Sequence, residues 1–151
     1  MKDVVKKVTY FAMDIPNKPG EGARLLGALV DKGVNLLAFS GFPSGRKAQI
    51  DFVPENTNAF KNAAKAAKVR TRAAKVGFLV QGKDRKGAVA DILKKLAAKK
   101  INVTAINAIS AGAKRYAAIL WVKPGDINKA SKALGARQPR IFMSEEVQRR
   151  K

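Results

Sequence analysis

Cysteine and histidine are both missing from this chain of 151 residues. Without cysteine there is no disulfide framework, zinc ribbon, iron–sulfur site or thiol nucleophile. Without histidine there is no Ser-His-Asp triad, no imidazole general base and no histidine-bearing metal site. These absences remove most hydrolase and metalloenzyme chemistry, so we expect no catalytic residues, no bound metal and no cofactor.

Long apolar runs are missing as well. The longest charge-free runs, 33–45 and 101–113, are 13 residues each, whereas a membrane-spanning helix needs about 20 residues. The first residues contain no apolar stretch of signal-peptide length. We therefore expect a cytoplasmic protein that has no membrane partner.

An internal repeat at an offset of 67 residues is the most informative feature that is present. Phe11 matches Phe78, Gly20 matches Gly87, and the Asn at position 35 matches the one at 102, all without a gap. The repeat predicts two related domains, at 1–73 and 74–151.

Within each copy, strand-like and helix-like periods alternate. Runs rich in β-branched and aromatic residues predict strands, and apolar residues at i, i+3, i+4 and i+7 predict amphipathic helices. Strands are predicted at 8–15, 34–42, 48–53 and 69–72 in the first copy, and at 76–82, 101–110, 117–122 and 140–143 in the second. Helices are predicted at 22–29, 58–67, 89–96 and 127–134.

The order βαββαβ, occurring twice, is typical of two ferredoxin-like α+β domains, each with an antiparallel sheet and both helices on one face. Domains of this size have modest cores, and the sheet edges and the second face stay uncovered. We therefore expect a homodimer.

Each copy places a glycine between its first strand and its first helix, in segments 15–22 and 82–88. Glycine lets the backbone approach a bound group, and the following amides can receive a carboxylate or phosphate. The same residues are also favourable in turns and caps. Asn35 and Asn102 begin the second strand of each copy and offer oxygens to an ammonium group, although Asn also tolerates the left-handed conformation of a turn. Amides and carboxamide together match a free α-amino acid.

The segments Asn17-x-Pro19-Gly20 and Gly33-Val34-Asn35, with the leucine stripe between them, resemble the signature of ACT domains, small amino-acid-binding regulatory modules. The resemblance covers nearly the whole chain, and residues 140–146 resemble the close of free-standing proteins built from two ACT domains. It implies a non-catalytic, allosteric protein that binds an amino acid or related metabolite at an interface between ACT units.

The resemblance implies contacts from the first loop and from the start of the second strand. The ligand-binding candidates are Asn17, Pro19, Gly20, Glu21, Asn35, Leu36, Asp84, Lys86, Gly87, Ala88, Asn102 and Val103. Lys86 stands where the family usually has Pro, and Asp84 replaces Asn. The Glu21 carboxylate could occupy the amides of the first copy, whereas Ala88 leaves those of the second copy free. Which copy binds stays open.

The positive charge of the chain supports an alternative function, the binding of nucleic acid. The chain has 31 Lys+Arg against 11 Asp+Glu, a net charge of +20, and such an excess is typical of proteins that bind polyanions. A nucleic-acid partner or an acidic protein partner therefore stays open. RNA-recognition motifs have the same order of strands and helices, and aromatic side chains on their open sheet face stack on bases. The first copy offers Tyr10, Phe11 and Phe52 for such stacking. The alignment of Phe11 with Phe78 instead favours a core position for both rings.

Overall fold

The computed structural model describes residues 3–137. The strands are β1 (Val4–Pro16), β2 (Leu36–Ser44), β3 (Lys47–Pro54), β4 (Lys75–Lys83), β5 (Val103–Gly112) and β6 (Arg115–Val122). The helices are α1 (Glu21–Val30), α2 (Thr57–Ala66), α3 (Ala88–Ala98) and α4 (Ile127–Leu134), with a 3-10 turn at Pro124–Asp126 before α4. The chain is an α+β protein with antiparallel strand pairs.

The chain divides into two compact units. The inserted unit comprises Thr9–Val76, and the split unit comprises Met1–Val8 together with Gly77–Lys151. Strand β1 therefore contributes its first residues to the split unit and the rest to the inserted unit. The two domains at 1–73 and 74–151 stay a prediction. The two compact units differ from those domains because the start of the chain belongs to the split unit.

In the inserted unit the strand order is β2-β3-β1, and the register places Phe52 opposite both Phe11 and Phe39. The ring of Phe60, from α2, lies 4.7 Å from that of Phe11 and 5.4 Å from that of Phe52. Helix α1 adds the buried Leu25 and Leu29, one helical turn apart. The core of this unit is therefore an aromatic cluster covered by two helices.

In the split unit the strand order is β1-β4-β6-β5, and Phe78 of β4 lies opposite Leu120 of β6. These residues form one core cluster with Ile92 and Leu96 of α3 and with Leu134 of α4. The apolar stripe predicted on α3 consisted of Val89, Ile92, Leu93 and Leu96. Ile92 and Leu96 are buried, Val89 is half-buried and Leu93 is exposed, so the stripe was wrong at Leu93. Since Phe11 and Phe78 are 4% and 0% exposed, their predicted core positions are confirmed.

The strand predicted at 69–72 is wrong. This segment has no strand structure, because Lys68 adopts a left-handed φ of 56° after α2 and redirects the chain. Arg72 still contacts β1: its backbone N–H donates to the carbonyl of Ala12 at 2.8 Å, and its guanidinium donates to Asp14 at 2.8 Å. The strand predicted at 140–143 lies outside the described residues. The observed order is thus βαββα twice.

None of the helices in residues 3–137 is long and apolar enough to cross a membrane.

Two leucines on α3 test the packing of the split unit. Leu96 is 1% exposed and Leu93 is 38% exposed. Leu96→Ala is expected to lower the free energy of unfolding by about 2–5 kcal/mol, because it leaves a cavity in the core. Leu93→Ala, the matched control on the same helix, should cost about 1 kcal/mol or less. Urea unfolding measures both; equal losses would contradict the assigned face of α3.

Candidate functional site

The glycine loops have the same backbone in both copies. Gly20 and Gly87 occupy the N-cap positions of α1 and α3 with left-handed φ values of 87° and 81°. Neither helix start has a side chain capping its amides. The first amide of each helix donates to a loop carbonyl at 3.4 Å, Glu21 to Lys18 and Ala88 to Arg85, so the expectation that Ala88 leaves every amide of the second copy free is wrong for its own N–H. The next two amides of each helix lack intrahelical carbonyl partners and are the donors that both loops present. A Cβ at either glycine would meet no atom within 4 Å, so the glycine requirement here comes from the backbone and not from crowding.

A cavity of about 290 Å³ opens beside the second of these loops, wholly within the split unit. The β4–α3 loop and the start of α3 form one wall, and residues of β5 and β6 form the other. The lining residues are Asp84, Arg85, Gly87, Ala88, Val89, Ala90, Ala108, Ile109, Ser110 and Tyr116. The cavity thus brings together Asp84, Gly87 and Ala88 from the predicted ligand contacts.

Asp84 is held in place from two sides. Its backbone N–H donates to the carbonyl of Lys114 at 2.9 Å, and its carboxylate accepts a hydrogen bond from the Ser110 hydroxyl at 3.1 Å. Neither contact is an ion pair, and Asp84 forms none within residues 3–137. The arrangement positions an acceptor suited to a cation.

The Arg85 guanidinium forms ion pairs with two carboxylates of the protein. Its guanidinium lies 3.0 Å from Asp3 and 3.3 Å from Asp91, and it donates to the carbonyl of Lys83 at 3.1 Å. It also lies 5.8 Å from the centre of the Tyr116 ring. Arg85 therefore fixes the loop, and its charge is balanced before any ligand arrives.

The Asp3 carboxylate is the centre of this network. Its side chain is 8% exposed, and it accepts hydrogen bonds from Arg85 and, at 2.7 Å, from the Tyr116 hydroxyl. A Cβ at Gly82 would collide with this carboxylate and lie 2.9 Å from the Tyr116 ring, so β4 needs glycine there. The start of the chain is therefore fastened to the wall of the cavity.

The network shifts the pKa values of its members. Burial disfavours the charged form of Asp3, but the hydrogen bonds from Arg85 and Tyr116 outweigh it and lower the pKa of the carboxyl. Burial and then the hydrogen bond to Asp3 raise the pKa of Tyr116 to about 12. The hydrogen bond to Asp3 also raises the pKa of Arg85. All three shifts keep the network ionised as Asp3 carboxylate and Arg85 guanidinium with neutral Tyr116.

In the first copy, the predicted contacts have partners of their own. The Glu21 carboxylate lies 2.8 Å from the Arg24 guanidinium and forms no side-chain cap on α1, so the expectation that it could occupy these amides is wrong. Asn35 donates its side-chain N–H to Glu55 at 2.7 Å. The backbone N–H of Asn17 donates to the carbonyl of Arg46 at 3.3 Å.

The remaining predicted contacts of the second copy do not line the cavity. Asn102 precedes β5, whereas Ser110 lies near its other end, and the intervening strand separates them. Val103 and Lys86 are also absent from the lining. Of the predicted site residues in the second copy, three line the cavity and three do not.

Sequence reasoning missed Asp3, Ser110 and Tyr116 as site residues. Asp3 lies 113 positions from Tyr116 along the chain, so no local pattern links them. The one usable signal was Gly82, a glycine inside a strand, which commonly marks the close approach of another group.

The aromatic residues considered for base stacking do not form an open platform. Phe52 is 0% exposed and Phe11 is 4% exposed. Of the corresponding aromatics in the second copy, Tyr116 and Trp121 are also buried. Base stacking by these four side chains would require them to leave the core. Tyr10 is half-buried, and one partly exposed ring does not form a stacking platform.

Comparison with known proteins finds similarity in structure alone. No family model matches the chain, and no curated protein matches it. A protein from Bacteroides thetaiotaomicron superposes with a TM-score of 0.73 at 14% identity, with 88% of each chain covered. The regulatory subunit of aspartate kinase from Thermus thermophilus superposes with a TM-score of 0.61 at 15% identity, covering 89% of this chain and 95% of that one.

A third similarity is to the aspartate kinase of Clostridium acetobutylicum, with a TM-score of 0.55 at 19% identity over 87% of this chain and 33% of the enzyme. At these identities the likeness establishes the fold. This chain has the ACT-like, ferredoxin-like α+β fold that aspartate kinase regulatory subunits share.

The alkaline titration of Tyr116 tests the network around Asp3. A tyrosine whose pKa is about 12 in the folded state and about 10 in the unfolded chain binds its proton more tightly when folded. Its stabilising contribution is therefore complete below pH of about 10 and is lost as the pH rises toward 12. Asp3→Asn should lower the pKa of Tyr116, measured by phenolate absorbance in a Tyr10→Phe background.

Asp14→Asn is the matched control, since Asp14 pairs with Arg72 in the inserted unit. It should leave the Tyr116 titration unchanged. An unchanged titration in Asp3→Asn as well would contradict the assigned hydrogen bond.

Proposed function

We propose that this chain is a non-catalytic sensor that binds a small amino acid, or a related metabolite, in the cavity at the start of α3. The observation that carries the proposal is the placement of the Asp84 carboxylate and the uncapped amides of α3 on the same cavity. The ACT-like fold, shared with regulatory subunits of aspartate kinase, supports a regulatory role.

The two ends of an α-amino acid match the two sides of the cavity. The backbone N–H groups of Val89 and Ala90 suit the ligand carboxylate, because they lack intrahelical partners and the helix dipole favours negative charge there. The Asp84 carboxylate suits the ligand ammonium. Because Arg85 is already balanced by Asp3 and Asp91, the cavity favours a zwitterion over a simple anion.

The cavity volume limits the ligand. At about 290 Å³ it lies at the small end of the range for ligand pockets, about 300–1,000 Å³, so it suits an amino acid with a small side chain. A ligand of so few atoms gains limited binding energy, and we expect a Kd between about 1 μM and 1 mM.

Regulation would follow if ligand binding favours one state of the protein over another. We propose that a neighbouring ACT-like domain of a second chain completes the cavity in a homodimer, at the open side where Ile109 is 68% exposed. The ligand would then shift the dimerisation equilibrium. The other predicted contacts are proposed to act at such shared sites: Asn17, Pro19, Gly20, Glu21, Asn35, Leu36, Lys86, Asn102 and Val103.

A thermal-shift screen of the full chain against free amino acids tests the proposal. A ligand at about 100 times its Kd should stabilise the protein by about 2.7 kcal/mol, which raises Tm by several degrees for a chain of this size. Ala108→Phe should abolish the shift, because the ring fills the cavity. Asp84→Ala should weaken it by removing the ammonium acceptor.

Ala105→Phe is the matched control, since Ala105 is also exposed on β5 but does not line the cavity. It should keep the full ligand-dependent shift. The proposal fails if no amino acid shifts Tm, or if Ala108→Phe and Ala105→Phe respond alike.

A further inference from the structure

A second surface of the split unit carries a concentration of positive charge. Helices α3 and α4, with the residues that end α3, expose six lysines, which we term the lysine face: Lys94, Lys95, Lys99, Lys100, Lys129 and Lys132. The two helices contact each other and bury Ile92, Leu96 and Leu134 in the core below. The lysine face therefore lies on the solvent side of this helix pair.

Within residues 3–137 no lysine of the lysine face forms an ion pair. The ion pairs to carboxylates there are made by Arg24, Arg72 and Arg85. Lys95 lies close enough to Asp3 to help lower the pKa of that carboxyl, and the other five lysines have no such interaction among the described residues. Asp91, on α3, is itself paired with Arg85. Uncompensated like charges repel one another and destabilise the folded state, so a partner that neutralises them would be stabilising.

The matching helices of the inserted unit carry fewer lysines. Helix α1 contains no lysine, pairs Arg24 with Glu21 and exposes the apolar Val30 at 66%. Helix α2 contributes Lys61 and Lys65, and the residues that follow α1 and α2 add Lys32 and Lys68, so four exposed lysines stand against the six of the lysine face. The two repeats thus share an architecture but differ in the number of lysines on their helix surfaces.

We propose that the lysine face binds the phosphate backbone of a nucleic-acid duplex. The charges are complementary. Lys95 and Lys99 are four residues apart, and Lys129 and Lys132 are three apart, so each helix offers two lysines separated by about one helical turn, ~5 Å along the axis, as point contacts. Stable protein interfaces and membrane surfaces need several apolar or aromatic anchors. Helices α3 and α4 offer one large apolar side chain in the exposed class, Leu93 at 38%, and the exposed aromatics Phe39 and Phe42 lie on β2 in the inserted unit. Contacts of this kind are independent of base sequence.

This inference is separate from the proposed amino-acid site. The cavity lies at the first turn of α3, whereas the lysine face begins at Lys94 and extends over α4. It also differs from base stacking on the sheet, because it uses the helices and needs no exposed aromatic ring.

The salt dependence of binding tests the proposal. Anisotropy of labelled DNA and RNA duplexes of about 20 base pairs, with the full chain at about 50–200 mM salt, gives the slope of log K against log salt concentration. The triple variant Lys94→Gln, Lys129→Gln, Lys132→Gln should make this slope less steep by about 2.7 on DNA, since each lost phosphate contact removes about 0.9. Comparing the DNA and RNA duplexes shows which backbone is preferred.

The control variant is Lys32→Gln, Lys61→Gln, Lys65→Gln, which has the same net charge but changes exposed lysines of the inserted unit. It should keep the wild-type slope to within about one unit. Equal losses in both variants would overturn the proposal, as would the absence of duplex binding. Tighter binding to polyglutamate or to anionic vesicles than to duplexes would also overturn it, while leaving the amino-acid thermal shift untouched.

Discussion

The hydrogen-bonded ion pair between Asp3 and Arg85 is the constraint on which the candidate site depends. It joins the start of the chain to the loop between β4 and α3. The Tyr116 hydroxyl, from β6, donates a second hydrogen bond to the Asp3 carboxylate. Gly82 leaves room for this contact. A loop held from two strands presents the first turn of α3 in one orientation and so shapes one wall of the cavity.

The same network bears on the ligand that we propose for the cavity. Because Arg85 is paired with Asp3 and Asp91, the proposed ligand partners are the amides at the helix start and the Asp84 carboxylate. Their opposite charges are the reason for proposing a small zwitterion. Lys95 acts on Asp3, and the lysine face is proposed as a separate surface of the same unit.

The helices and most strands were predictable because their apolar residues follow clear periods and because the repeat supplied each pattern twice. The segment 69–72 failed because one valine among basic residues gives too short a signal, and Lys68 turns the chain away. Asp84, Gly87 and Ala88, which the glycine loop and the resemblance to ACT domains suggested, line the cavity, and their role in binding stays a prediction. Asp3 and Tyr116 were not, since their contact joins residues 113 positions apart. The association of β1 with both units likewise depends on long-range contacts that a periodic pattern does not encode.

The most direct measurement is an amide NMR titration of the full chain with the amino acid that gives the largest thermal shift, or with alanine and serine if none does. The account predicts that the largest chemical-shift changes fall on the amides of Val89 and Ala90, with smaller changes at Ser110. Saturable changes confined to other parts of the chain, with the first turn of α3 unaffected, would contradict the assignment of the ligand to this cavity.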